Sequence, residues 1–203
     1  MRLDKKKMIA AIIVACTTLF IAIGIHEKKD TRKQLKFGAT YMTMNNPYFV
    51  NMDENIEESV QAKGDILITR DPLQDQKKQN EQIKDMINEG IDVLFLQPVD
   101  RNKVRPALEL CKKKHIPVVV IDSEVSDTEA VVSTIVSDNY DAGVQCAKDM
   151  MKKKTSANII IVNQKALNSI NERVKGFRDT IKGHPQYKIV EEKESAAEFE
   201  IAM

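Results

Sequence analysis

The chain has 203 residues, 42% of them hydrophobic and 30% charged, which allows one large α/β domain or two smaller ones with a wetted surface. Lysine and arginine number 31 against 30 acidic residues, for a formal net charge of +1. That balance argues against a nucleic-acid binder, whose affinity rests on clustered cations that neutralise phosphates.

At the N-terminus, Arg2, Lys5, Lys6 and Lys7 precede an apolar run from Met8 to Ile25, interrupted by Cys16, Thr17, Thr18 and Gly24. A basic flank followed by an apolar stretch is the pattern of an export signal or signal anchor. Eighteen residues rise about 27 Å as a helix, close to the roughly 30 Å hydrocarbon thickness of a bilayer. Residues 1–25 are therefore expected to form a signal peptide or membrane anchor, an N-terminal hydrophobic helix that leaves the remainder extracytoplasmic. Ile13-Val14-Ala15-Cys16 resembles a lipoprotein-processing box, but the apolar run continues past Cys16. A cleaved signal, a lipidated Cys16 and a retained anchor thus stay open.

A polar linker over residues 26–35 leads into alternating strands and helices. Lys36–Thr43 reads as a strand. Pro47–Lys63 has helical spacing, with Phe49, Met52, Ile56 and Val60 recurring every three or four residues, and Gly64 ends it. Asp65–Thr69 is a short strand. Gln74–Glu89 is a helix with Ile83, Met86 and Ile87 inward, stopped by Gly90. Strands follow at Ile91–Leu96, Ile116–Ile121 and Val131–Val136, with a helix at Lys103–His115 between the first two and another from Asp138-Asn139 to about Lys153. A strand at Asn158–Val162, a helix at Asn168–Lys182 and a strand from Tyr187 to about Glu192 complete the pattern. The runs Lys112–Lys114 and Lys152–Lys154 each close a helix, where cations complement the negative end of its dipole. Continuous apolar strands alternating with amphipathic helices imply parallel sheets buried on both faces. A second sheet begins at Asn158, and Phe199–Met203 reads as the first turn of a further helix, so the second half is expected to be incomplete.

In such sheets, ligands bind outside the carboxyl ends of the strands. Asn45-Asn46-Pro47-Tyr48-Phe49 follows the first strand, Arg70-Asp71 the second, Gln97-Pro98-Val99-Asp100 the third and Asp122-Ser123 the fourth. Amides and carboxylates satisfy hydroxyls that both donate and accept, and aromatic faces pack on C–H patches. Asn46-Pro47 also fits a plain helix start, an N-cap followed by proline. No nucleophile elbow, P-loop or dinucleotide fingerprint occurs, and none of His26, His115 and His184 has an obvious nucleophile partner. No catalytic residue, metal or cofactor is expected. Cys111 and Cys146 fall in helical segments and read as buried free thiols rather than a disulfide framework.

Together, Asn45-Asn46-Pro47-Tyr48-Phe49, Ile116-Pro117-Val118-Val119-Val120-Ile121-Asp122, Ser137-Asp138-Asn139, and Asn171-Glu172-Arg173 with Gly176-Phe177 resemble the ribose-type, type I periplasmic sugar-binding proteins of bacterial ABC importers, over residues 36–203. The resemblance implies a type I periplasmic-binding-protein fold of two Rossmann-like lobes, an N-terminal sugar-binding lobe over 36–136 and a partial C-terminal lobe over 137–203. It implies a monomer that closes on a monosaccharide or polyol and delivers it to an ABC transporter permease, or presents it to a sensor kinase or chemoreceptor. By matching position, Asn46, Tyr48 and Phe49 would bind and stack on the sugar, Asp122 would accept from its hydroxyls, Arg173 would reach in from the second lobe, and Phe199 would add a second aromatic face. Gln97 and Ser123 stand where ribose binders carry Asn and Arg, and Met42 where they carry Ser, which redraws the polar floor of the pocket. A LacI-type repressor shares this fold but should begin with a helix-turn-helix; here a hydrophobic segment stands in its place.

Overall fold

The computed structural model describes residues 32–195, so the N-terminal apolar segment and Phe199 lie outside the described residues. Five parallel strands form the first sheet: β1 (Lys36–Thr40), β2 (Ile66–Arg70), β3 (Val93–Leu96), β4 (Val118–Ile121) and β5 (Val131–Ile135), in the order β2-β1-β3-β4-β5. Helices α1 (Pro47–Gln61), α2 (Gln76–Asn88) and α3 (Arg105–Lys113) connect the first four strands. The chain then passes through α4 (Asn139–Lys153), β6 (Ala157–Asn163), α5 (Asn168–Ile181) and β7 (Tyr187–Glu194), where β6 and β7 pair in parallel as a second sheet.

Alternation along the strands explains why both faces of the first sheet are apolar. Leu94, Leu96, Val118 and Val120 point to one side, against Ile83 and Met86 of α2 and Ala107, Leu108 and Cys111 of α3. Ala39, Phe95, Val119 and Ile121 point to the other, against Phe49, Met52 and Ile56 of α1. This two-sided burial is what continuous apolar runs in a parallel sheet require.

The strands and helices occur in the predicted order, with ends trimmed by turn chemistry. At the ends of α1, α2 and α3 the same closing motif recurs: Asp65 N–H donates to the Val60 carbonyl, Ile91 to Met86 and Ile116 to Cys111. The left-handed residue in each is Gly64, Gly90 and His115. Asp65, Ile91 and Ile116 are thus consumed by helix closure, and the strands begin later than their apolar runs suggest.

In the second half, α4 and α5 cross closely and cover one face of the β6–β7 sheet, Ala147, Phe177 and Ile181 packing with Ile159, Tyr187 and Ile189. The other face presents Ile160, Val162 and Val190 to solvent. Cys111 is buried, which pushes its thiol pKa up to about 12. Cys146, expected to be buried, is exposed. Helix α4 buries Asn139, Gly143 and Ala147 on a four-residue spacing, and Cys146 lies one position off that face.

Candidate functional site

Loop chemistry after β1 sets the first wall of a cleft. Asn46 is the N-cap of α1, its Oδ1 accepting from the Tyr48 N–H at 3.0 Å, with Pro47 in the first turn. This cap turns the chain so that Phe49 goes inward, 4% exposed and stacked on Tyr41 at 5.9 Å, while Tyr48 stays half exposed with its ring edge-on to Phe49 at 5.3 Å. Asn46 therefore fills both roles that its sequence allows: it caps the helix and borders the cleft.

Asp122 follows β4 in an unusual conformation. Its φ is +64°, its N–H donates to the Ile135 carbonyl at 2.9 Å, and the Ser123 N–H reaches back to the Ile121 carbonyl at 2.7 Å. A three-residue turn with positive φ at its centre is the strained form of the γ-turn. Strain of this kind persists where surrounding bonds over-determine it, and it gathers at ligand sites. Here the turn aims a carboxylate past the strand end. Burial raises the pKa of Asp122 above the ordinary carboxyl value, outweighing the lowering by the Arg173 guanidinium and the Tyr48 hydroxyl. Tyr48 is raised in turn, first by burial and then by the Asp122 carboxylate.

Arg173 comes from α5. Its Nε donates to Asn139 Oδ1 at 2.8 Å, and Asn139 Nδ2 donates to the Ser137 carbonyl at 3.0 Å. Asn139 itself is 7% exposed. A buried amide thus fixes one edge of the guanidinium while Arg173 borders the cleft. Two sequence motifs 34 residues apart, Ser137-Asp138-Asn139 and Asn171-Glu172-Arg173, meet in this single contact.

The cleft has a volume of about 330 Å³ and brings together Asn46, Tyr48, Phe49, Asp122 and Arg173, a size suited to a small ligand. Gln97 and Ser123 lie beneath it instead of on its lining, each with no exposed surface. Gln97 Oε1 accepts from the Met42 N–H at 2.5 Å, and its backbone carbonyl accepts from Gln79 Nε2 at 2.9 Å. Its Nε2 has no partner. Ser123 Oγ accepts from the Ser169 N–H at 3.3 Å and so ties the two halves of the chain together. Arg70, which also follows a strand, turns away to a paired contact with Glu89 at 2.9 and 3.1 Å.

Residues that the sequence reading did not single out complete the lining from the second half: Gln164, Leu167, Ser169 and Ile170. Gln164 stands immediately after β6, and the rule that ligands gather at carboxyl ends, carried on to that strand, points to it. Leu167 gave no such signal. It packs at 4% exposure into the apolar cluster of the first sheet with Phe49, Val99 and Ile121. Among the described residues no group of acidic, cysteine or histidine side chains is arranged to hold a metal ion.

Known proteins share this fold. The chain is 28% identical over 149 residues to the ribose import binding protein of Bacillus subtilis strain 168, covering 70% of this chain and 48% of that protein. An ABC transporter solute binding protein from Mycobacterium smegmatis, solved with bound glycerol, superimposes with a TM-score of 0.73 at 30% identity, over 78% of this chain and 56% of that one. The Caulobacter myo-inositol binding protein, solved with myo-inositol, has a TM-score of 0.74 at 22% identity over 80% and 56%, a likeness of fold. The chain spans about half the length of the curated relatives it matches. The sheet order, the strand-end cleft and a periplasmic binding protein domain model that matches residues 37–200 agree, and the chain belongs to the periplasmic binding protein domain family.

Proposed function

We propose that this chain is a non-catalytic, extracytoplasmic solute-binding protein that captures a monosaccharide or polyol and hands it to the permease of an ABC importer. The observation that carries the reading is the meeting, in one cleft at the carboxyl ends of the strands, of the Asp122 carboxylate, the Arg173 guanidinium, the Tyr48 hydroxyl and the Phe49 ring. Asp122 accepts, Arg173 donates, and a hydroxyl-rich ligand can satisfy both. Opposite charges in the same cleft leave it near neutrality, which suits an uncharged solute. Phe49 and Met42 supply the apolar surface that the C–H face of a sugar needs.

On this reading residues 36–136 form one lobe, residues 137–203 belong to the second, and closure between them encloses the ligand. The apolar N-terminal segment, residues 1–25, directs the chain across the membrane or holds it there, and the protein acts as a monomer. The relatives' ligands support a polyhydroxylated solute: the Mycobacterium smegmatis protein holds glycerol and the Caulobacter protein myo-inositol.

The deciding experiment is a thermal-shift and calorimetric screen of the full chain against D-ribose, D-galactose, D-fucose, xylitol and myo-inositol. A ligand present at a hundred times its Kd stabilises the folded state by about 2.7 kcal/mol, and the melting temperature should climb accordingly. A flat response to all five, alongside a clear response to amino acids or other small solutes, would overturn the assignment.

A further inference from the structure

We propose that Gln164 is a specificity-determining residue of the cleft, its side-chain amide bonding a ligand hydroxyl from the side of the second sheet. The inference rests on the sugar-binding reading and adds which group discriminates among ligands.

Gln164 lines the cleft together with Met42, Leu167 and Ile170, and it is 7% exposed. Its Oε1 is buried without a hydrogen-bond partner. The turn that it occupies does not use its side chain. The Gln164 N–H donates to Asn163 Oδ1 at 2.8 Å, and its carbonyl accepts from the Leu167 N–H at 3.1 Å, so the loop is held by the main chain and by Asn163. An apolar side chain of the same length would suit the surrounding Met42, Leu167 and Ile170. An unpaired amide oxygen among them is costly unless something arrives to pair it.

The chemistry of the other cleft groups defines what that arrival is. The Asp122 carboxylate only accepts, and the guanidinium of Arg173 only donates. The Gln164 amide is neutral and offers both an acceptor and donors, the match for a hydroxyl, which has one of each role to fill. A buried group placed to bond a hydroxyl rejects the analogue that lacks it, because the amide is then left unpaired again. Gln164 therefore selects for a hydroxyl at one ring position, while Asp122 and Arg173 secure the ligand in general.

The test compares the full-length wild type with Gln164→Met, which keeps side-chain length and removes the amide. Calorimetric affinities are measured for three pairs: D-ribose with 2-deoxy-D-ribose, D-galactose with D-fucose, and myo-inositol with a monodeoxy-inositol. The wild type should prefer the fully hydroxylated member of its best pair by about 5- to 150-fold. Gln164→Met should lose that preference, while its unliganded melting temperature stays at or above that of the wild type. An unchanged preference in Gln164→Met overturns this assignment alone. So does a lower unliganded melting temperature with an equal loss of affinity for both members, the mark of a structural role. Wild-type binding of none of the six sugars and polyols overturns the sugar reading and this assignment with it.

Discussion

At the scale of single residues, Asp122 joins a conformational and an electrostatic cost at one position. Its positive φ is tolerated by asparagine and aspartate better than by other side chains with a Cβ. Its carboxyl pKa is raised by burial, so between the ordinary value and the raised one the native state binds more protons than the unfolded chain. The free energy of unfolding then falls as pH climbs through that window and stays lower above it. At neutral pH the ionised carboxylate therefore costs stability. Asp122→Asn keeps the left-handed backbone and removes the charge, so it should melt at a higher temperature than the wild type at pH 7. The gain should fade as the pH drops from the raised value towards the ordinary one and be gone below about 4, where the carboxyl is protonated in both states. Sugar affinity should fall at the same time, since a neutral amide accepts more weakly than a carboxylate. Equal melting temperatures at pH 7 would show that ionised Asp122 carries no such cost. The residue itself was legible from its place after an apolar strand, whereas the γ-turn was not, because nothing in Ile121-Asp122-Ser123 marks a positive φ without a glycine.

Elements were legible where hydrophobic periodicity was strong, and their contacts were legible only in part. The crossing of α4 and α5 illustrates why. A Cβ built on Gly143 would sit 2.0 Å from the Arg173 carbonyl oxygen, and one on Gly176 would sit 2.0 Å from that of Tyr140. Each helix approaches the other so closely that only hydrogen fits at these two points. That approach is what sets Arg173 within reach of Asn139. Gly143→Ala should push α5 outward, lower stability by about 1–3 kcal/mol as overpacking does, and weaken sugar binding by shifting Arg173 at the cleft edge. Gly176→Ala acts on the same crossing from the opposite helix, so the double variant should lose less than the sum of the two. Chemical denaturation of the three variants with calorimetry on each checks both effects; full additivity would separate the two sites. Cys146 escaped the reading for a related reason, since spacing alone does not reveal that the buried stripe of α4 is made of small residues facing a helix instead of a sheet.

At the scale of the whole molecule, the two halves of the chain meet through contacts that no local pattern announces. Leu167, in a turn, completes the apolar cluster of the first sheet. The Arg101 N–H donates to the Ala166 carbonyl at 3.1 Å. Asn168 bridges further across: its Oδ1 accepts from Arg101 and its Nδ2 donates to Glu124, both from loops of the first sheet. These hydrogen bonds join residues 44 to 67 apart in sequence, beyond the reach of periodicity or capping signals. If binding draws on a closed arrangement, a ligand that contacts both halves gains from every contact that favours closure, and loses when one is removed. Asn168 is suited to test this, because it bridges the halves without lining the cleft. Asn168→Ala removes two hydrogen bonds, each contributing about 0.5–1.5 kcal/mol, so affinity should drop by about 5- to 150-fold although no ligand contact has changed. The radius of gyration of the unliganded protein, measured by X-ray scattering, should increase, and saturating sugar should return it to the wild-type value. Undiminished affinity in Asn168→Ala would mean that these bridges are equally intact with and without ligand, and that the two halves meet as a fixed interface instead of a closing one.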